Sequence, residues 1–400
     1  MPFPITFWCG VPSDFMCEQR LAEIRESGCN LITGDYGIDG NQRVLKLCEK
    51  YGLRMTVEDP RLGECVRQPE LIDTLLPAVA ADYRAYPALF SYHIKDEPST
   101  ADFPVLSRIV ARLKELDPEH EAYINLFPNY ATPEMLGAAT YQEHVARFLD
   151  EVKPEILSYD HYHFLKAAPV QQRDDFADDR ERQIYLAAQA KSERGGFFDN
   201  LEVIRAQALA HRVPFMLIVL VAEHGPYRYL TEAEIRYEAF QALAYGAARM
   251  SYFTYWTPDY EEVWKYQNGM ISQNGHRTQH FYDVQHVNLD LAKIGRKTAA
   301  TSSVKVMHAG AESESVTPFS AFGGITEITG GRCTVGFFKN GLILLANKDW
   351  EQAATLCCKA ESAPRCYNPQ DEAWSEIPFD EEEQAYLIPL QAGGGCLIRF

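Results

Sequence analysis

Basic residues are the scarce class in this chain: 38 Lys and Arg stand against 56 Asp and Glu, a formal net charge of −18. That much negative charge repels polyanions at long range, which excludes nucleic acids and anionic membranes as partners and points to a neutral ligand. Long apolar runs are missing too, so no segment is predicted to cross a bilayer. The N-terminus, Met1-Pro-Phe-Pro-Ile-Thr-Phe-Trp8, lacks the basic lead-in and apolar stretch of a signal peptide and reads as a first strand. The ten cysteines include no CxxC pair. Cys29, Cys48, Cys333, Cys357 and Cys358 fall in or beside predicted elements, the usage expected of reduced thiols in a cytoplasmic protein. No glycine-rich nucleotide fingerprint follows the first strand.

What is present is ample core material: 46% apolar and 12% aromatic residues over 400 positions, more than one ordinary core, which suggests two domains. Through three quarters of the chain, strand-like runs at 5–10, 30–34, 54–58, 89–95, 122–127, 156–161, 215–222 and 249–256 alternate with helical ones. The helices are expected at 18–28, 42–52, 69–86, 102–116, 142–152, 198–211, 231–246 and 281–295. Phe103, Leu106, Ile109, Val110 and Leu113 show the reason, since that spacing puts them on one helix face. Eight such units predict an α/β fold, a (β/α)8 TIM barrel over residues 1–296, with a doubly wound open sheet as the alternative. Short β-prone runs at 333–339, 342–347, 353–358, 386–389 and 396–400 predict a small antiparallel β-sandwich over residues 297–400. The irregular stretch 163–196 has the length of a lid or binding loop. The mixed-charge run 173–182 and the acidic run 380–383 read as solvated surface.

Two acids carry the chemistry. Glu97 closes Phe90-Ser-Tyr-His-Ile-Lys-Asp-Glu97, and Glu223 closes the apolar run that begins at Val213. Pro98 and Gly225 follow, so both acids are expected at the carboxyl ends of strands, the fourth and the seventh by count. Taken singly, Glu97 can cap the next turn and Glu223 can pair with His224 or Arg228. Taken together at one end of one barrel, they form the facing carboxylates of glycoside hydrolysis, one protonated and one ionised.

This layout resembles clan A of the glycoside hydrolases, retaining β-glycosidases on (β/α)8 barrels whose acid/base closes strand four and whose nucleophile closes strand seven. The resemblance covers residues 1–295, and the C-terminal part is similar to the accessory sandwiches many members carry. It implies Glu97 as acid/base, Glu223 as nucleophile, no cofactor, no metal, and a β-glycoside or oligosaccharide substrate, with β-galactosidase or β-glucosidase activity foremost. It also implies Trp256, in Tyr252-Phe-Thr-Tyr-Trp256, as the aromatic platform under the reacting sugar. His161 and Tyr162, within Tyr159-Asp-His-Tyr-His163, match the pair beside the nucleophile, with Tyr162 expected to hydrogen-bond Glu223. At the other strand ends stand Trp8, Asp35, Tyr36 and Asn125; of these Trp8, Tyr36 and Asn125, with His93, are candidate substrate contacts, although Trp8 and Trp256 also suit plain packing.

One residue departs from the pattern. Clan members usually carry Asn just before the acid/base, donating to the substrate 2-hydroxyl; here it is Asp96, which accepts when ionised but does not donate. Asp96 is therefore a substrate contact of altered role, alongside Lys95 and His93, and a second candidate acid. Two other functions stay open. One is a metal-dependent sugar isomerase or deacetylase using Asp160, His161, His163 and Glu58, although strand alternation turns Asp160 away from the two histidines. The other is a catalytically silent barrel that binds glycans through Trp8, Trp256 and the sandwich. The sugar, the linkage and the oligomeric state, a homo-oligomer included, are not legible.

Overall fold

The computed structural model describes residues 2–166, 192–259, 261–310 and 315–400, so most of the expected lid and the run at 173–182 lie outside the described residues. Eight parallel strands form one sheet: β1 (Ile5–Phe7), β2 (Leu31–Gly34), β3 (Arg54–Glu58), β4 (Leu89–Asp96), β5 (Glu121–Leu126), β6 (Leu157–Asp160), β7 (Phe215–Leu220) and β8 (Arg249–Phe253). From β2 to β8 each strand pairs with its successor, and β8 pairs with β1. Between β1 and β2 the Asn30 N–H donates to the Ile5 carbonyl at 3.0 Å, which brings the ring nearly to closure. This is the (β/α)8 barrel, and the open doubly wound sheet is ruled out by the β1–β8 pairing.

Helices follow the strands as the apolar spacing predicts, with two additions, one of them the single turn Pro133–Leu136. Pro60–Arg67 forms a separate helix before Ile72–Tyr83. Its start is written in the sequence: Asp59 accepts from the Arg61 N–H and Pro60 occupies the first turn. Among the described residues no helix is long and apolar enough to cross a membrane.

Alternation along the strands puts Thr6, Thr33, Thr56, Ser91, Ser158 and Ser251 inside the ring, where all are buried. Two of these hydroxyls meet, Thr56 Oγ1 and Ser91 Oγ at 2.8 Å, while those of Thr6 and Ser251 stay unpaired. At the N-terminal end, Arg249 of β8 clamps the carboxylate of Glu121 on β5 with two N–H groups. Arg249 and Arg54 also lie over the Phe90 ring at 4.7 and 4.5 Å. This plug spans the lumen, so the opposite, C-terminal end is where side chains and ligands have room.

After the helix Gln279–Thr298 the chain becomes antiparallel. One sheet has six strands, in the order Ser303–Ala309, Cys333–Phe338, Ile343–Asn347, Gly395–Arg399, Arg365–Asn368 and Ala373–Glu376; the other has four, Ile325–Thr329, Ala354–Ala360, Ala385–Leu390 and Phe379–Asp380. Met307, Val335, Leu345, Leu356, Ile388 and Ile398 fill the core between them. The helix Glu232–Tyr245 is buried from Glu234 onward because the barrel covers one side and the six-stranded sheet the other. Gly336 makes that contact possible: a Cβ there would stand 2.0 Å from the Ala244 carbonyl oxygen.

Candidate active site

Strand register explains how the acids at the mouth are aimed. Between β4 and β5, His93 pairs with Tyr123 and Lys95 with Ile124, so Ile94 is an extra residue, a β-bulge. His93, before the bulge, faces inward, with its ring 5.1 Å from Trp8 and 5.5 Å from Tyr123. The bulge resets the alternation. Lys95 turns out toward Asp102 at 4.0 Å, and Asp96 turns in opposite Asn125. Glu97 follows with φ 45°, a left-handed conformation that costs a non-glycine residue about 1–3 kcal/mol and clusters at functional sites. Its N–H is anchored on the Asn125 carbonyl at 2.9 Å.

Asn125 is the hub of an acidic cluster. Its amide donates to Asp96 Oδ1 and to Asp160 Oδ1, both at 3.1 Å, and its oxygen accepts from Ser158 Oγ at 2.8 Å. Burial, then the charges of Asp160 and Asp96, push the Glu97 carboxyl from 4.5 up to about 8. Asp160 is buried and rises to about 7, first by burial and then by Asp96, against the opposing hydrogen bond from Asn125. Asp96 keeps contact with solvent, and its sunken position pushes it up before any charge does. Burial and its acidic neighbours thus favour the protonated form of Glu97.

Glu223 sits three residues past β7. Val221 and Ala222 both donate to the Phe253 carbonyl, and Glu223 exchanges two backbone hydrogen bonds of 2.9 Å with Gln267. Its carboxylate meets Lys166 Nζ at 3.1 Å and Asn268 Nδ2 at 3.4 Å. The expected partners are otherwise engaged: His224 Nδ1 lies 2.9 Å from the Ala222 carbonyl, and Arg228 is clamped by Glu234 at 2.6 and 3.0 Å. Both acids stand beyond the C-terminal ends of the strands, but the charges that raise Glu97 belong to Asp160 and Asp96, while Glu223 belongs to a second group with Lys166 and Asn268.

The remaining predicted residues divide. Trp8 is half-buried at the mouth against His93 and Tyr123. His93 Nδ1 lies 3.3 Å from Glu58 Oε1. His161 is buried between the Tyr130 and Phe197 rings, with Nδ1 on Asn200 Oδ1 at 3.0 Å, and burial lowers it to about 3. Tyr162 lies against His224, Tyr227 and Phe253 rather than hydrogen-bonding Glu223, because its ring is wedged among those three. Tyr36 folds back on Gly34, whose missing Cβ leaves room for the ring. Trp256 is only 4% exposed, covered by Phe15 at 4.9 Å and by the Arg20 guanidinium at 5.2 Å, so its faces are occupied by protein. Asp160, His161, His163 and Glu58 are held by Asn125, Asn200, Glu193 and His93 respectively, and among the described residues no three or more His, Cys, Asp or Glu are grouped to hold a metal ion.

Residues that sequence reasoning missed come from loops. Arg194 lies 3.7 Å over the Tyr130 ring and donates to the Tyr162 carbonyl and the Tyr227 hydroxyl. Cys9, with φ 52° at the end of β1, has a thiol pushed up to about 12 by burial, then by Glu58 and Asp96.

No family model and no curated protein matches the sequence. Solved structures do. A GH42 β-galactosidase from G. stearothermophilus superposes with a TM-score of 0.64 over 99% of this chain and 98% of its own, at 9% identity. A glycoside hydrolase family 5 protein from Bacteroides vulgatus gives a TM-score of 0.59 over 99% of this chain and 89% of its own, at 12% identity. The fold is a glycoside hydrolase fold. The β-galactosidase from the psychrophilic Marinomonas ef1 gives 0.52 at 11% identity over 74% of this chain, which spans 62% of that enzyme's length. At these identities the likeness carries the barrel and the β-rich part that follows it, and the chemistry has to be argued from the side chains.

Proposed function

We propose that this protein is a retaining β-glycoside hydrolase without a cofactor, in which Glu97 is the acid/base and Glu223 the nucleophile. The observation that carries the reading is Glu97: a carboxyl at the end of β4, strained into place and raised to about 8, and so a proton donor at neutral pH. Glu97 would protonate the glycosidic oxygen as the Glu223 carboxylate attacks the anomeric carbon and the C–O bond breaks. Water, deprotonated by Glu97, would then release the sugar from its ester with Glu223. Trp8, His93, Asp96 and Asn125 would contact the sugar. Asn125 spends both amide hydrogens on Asp96 and Asp160, so an ionised Asp96 would offer a sugar hydroxyl an acceptor alone, where an Asn before the acid would offer a donor as well. Several structures of this fold are named β-galactosidases, and a β-galactoside is our first choice of substrate. A catalytic barrel ending near residue 296 and an accessory sandwich after it belong to the same proposal.

The test is a panel of nitrophenyl β-glycosides with azide rescue. Glu223→Ala should be inactive and yield the α-glycosyl azide; Glu97→Ala should retain activity on activated leaving groups and yield the β-glycosyl azide. An active Glu223→Ala beside an inactive Asp160→Ala would hand the nucleophile's role to Asp160, the buried acid whose charge acts on Glu97.

A further inference from the structure

Where the barrel meets the β-rich part lies a cavity of about 670 Å³. From the barrel side it is lined by His163, Arg194 and the first residues of the helix Phe197–His211; from the other side come Arg332, Asp349 and Trp350. We infer that this seam is a second saccharide-binding subsite, which holds sugar units of an oligosaccharide beyond the one being cleaved. The inference rests on the glycosidase reading and extends it by assigning a substrate class, oligosaccharides over simple glycosides.

Four observations support it. First, Arg194 leads from the cavity toward the mouth: it lines the cavity, lies 3.7 Å over the Tyr130 ring and donates to the carbonyl of Tyr162, whose ring packs on His224 next to Glu223. Second, its buried wall carries an unused polar group. His163 is 7% exposed; its Nδ1 makes no hydrogen bond, and its Nε2 faces the half-exposed Glu193 carboxylate at 3.3 Å. Third, Arg332 is exposed and its guanidinium makes no hydrogen bond or ion pair with a described residue, while Gly196 starts the adjoining helix without a side-chain cap. Backbone N–H groups at such a start lack intrahelical partners. Fourth, Trp350 stands half-buried, edge-on to Tyr237 at 4.9 Å and Phe164 at 5.0 Å.

Donors and acceptors of both signs around an aromatic surface are what a neutral polyol needs: hydroxyls bond both ways, and sugar C–H faces pack on rings. The lining balances its basic residues against its acidic ones, so it has no net positive charge to hold a polyanion in a chain of net charge −18.

The test compares the full chain with Arg332→Ala, Trp350→Ala and Trp350→Phe on a nitrophenyl β-galactoside and on β-1,4-galacto- and gluco-oligosaccharides from di- to pentasaccharide. In the wild type kcat/KM should climb with chain length. Both alanine variants should lose that climb by about tenfold while leaving the nitrophenyl substrate unchanged, and Trp350→Phe should restore most of it. A flat length dependence in the wild type, or an unaltered climb in Arg332→Ala and Trp350→Ala, overturns the inference. If no glycoside is cleaved, the glycosidase reading fails instead, and calorimetric titration with the same pentasaccharides decides the seam. Binding weakened by both alanine variants upholds it, and absent or unaltered binding sinks it.

Discussion

Glu97→Gln should stabilise the protein in alkaline solution while removing the proposed proton donor. In the native fold the Glu97 carboxyl rises from 4.5 to about 8, through burial first and through Asp160 and Asp96 after it. At about 1.4 kcal/mol per pH unit, that rise sets a ceiling of about 5 kcal/mol on what ionising Glu97 costs the fold. Solvent reaches part of the side chain, and screening should leave ~2–3 kcal/mol. The sign follows from counting protons. Between 4.5 and about 8 the folded protein holds a proton that the unfolded chain has released, so stability falls as pH climbs through that window and this loss is complete above it. Gln keeps the shape of the protonated acid and has no acidic proton to lose, so it stays neutral across the window. Urea unfolding of wild type and variant at about pH 5 and about pH 9 isolates the charge of Glu97 and its coupling to Asp160, because titrations that do not feel Glu97 cancel in the difference. The two proteins should nearly coincide at the lower pH, and the variant should be the more stable at the higher. A difference that ignores pH, or a variant weaker at about pH 9, would refute the account of Glu97 as a buried, charge-crowded acid.

Arg228→Ala would strand the buried carboxylate of Glu234 and should cost about 3–5 kcal/mol. A melting temperature equal to wild type would show that the pair is not desolvated. Trp256→Ala should cost about 3–5 kcal/mol of stability with kcat/KM of the folded fraction intact, since the ring is packed under Phe15 and Arg20. The reverse outcome, lost kcat/KM at an unchanged melting temperature, would return the sugar platform to that residue. Cys366 and Cys396 have Sγ atoms 2.7 Å apart, so oxidised glutathione should join them, two thiols giving one disulfide and two glutathione thiols. Peptide mapping without reduction should recover that link, and ten remaining free thiols would speak against it.

The barrel was legible because its strands are buried on both faces and end in turn residues, so β7 stands out as an apolar run between Pro214 and Gly225. Glu97 was legible for the same reason, as the polar end of such a run. The inward turn of Asp96 was not, because one extra residue at Ile94 reverses the alternation and no residue type announces a bulge. Trp256 misled because a tryptophan past a strand looks the same whether its ring faces the mouth or a neighbouring helix. Arg194, Lys166 and Asn268 come from loops, where no periodicity ties position to geometry. The edge strand Ala373–Glu376 was missed because none of its residues is buried and an exposed strand carries no apolar alternation.

The Arg249–Glu121 clamp with Phe90 makes the barrel a cup with a sealed floor. In the proposed reaction water, substrate and released sugar would therefore share a single opening, and a product resting over Trp8 would stand in the path of the next molecule. Traffic through that rim, rather than through a channel, would then set how fast the cup is emptied and refilled.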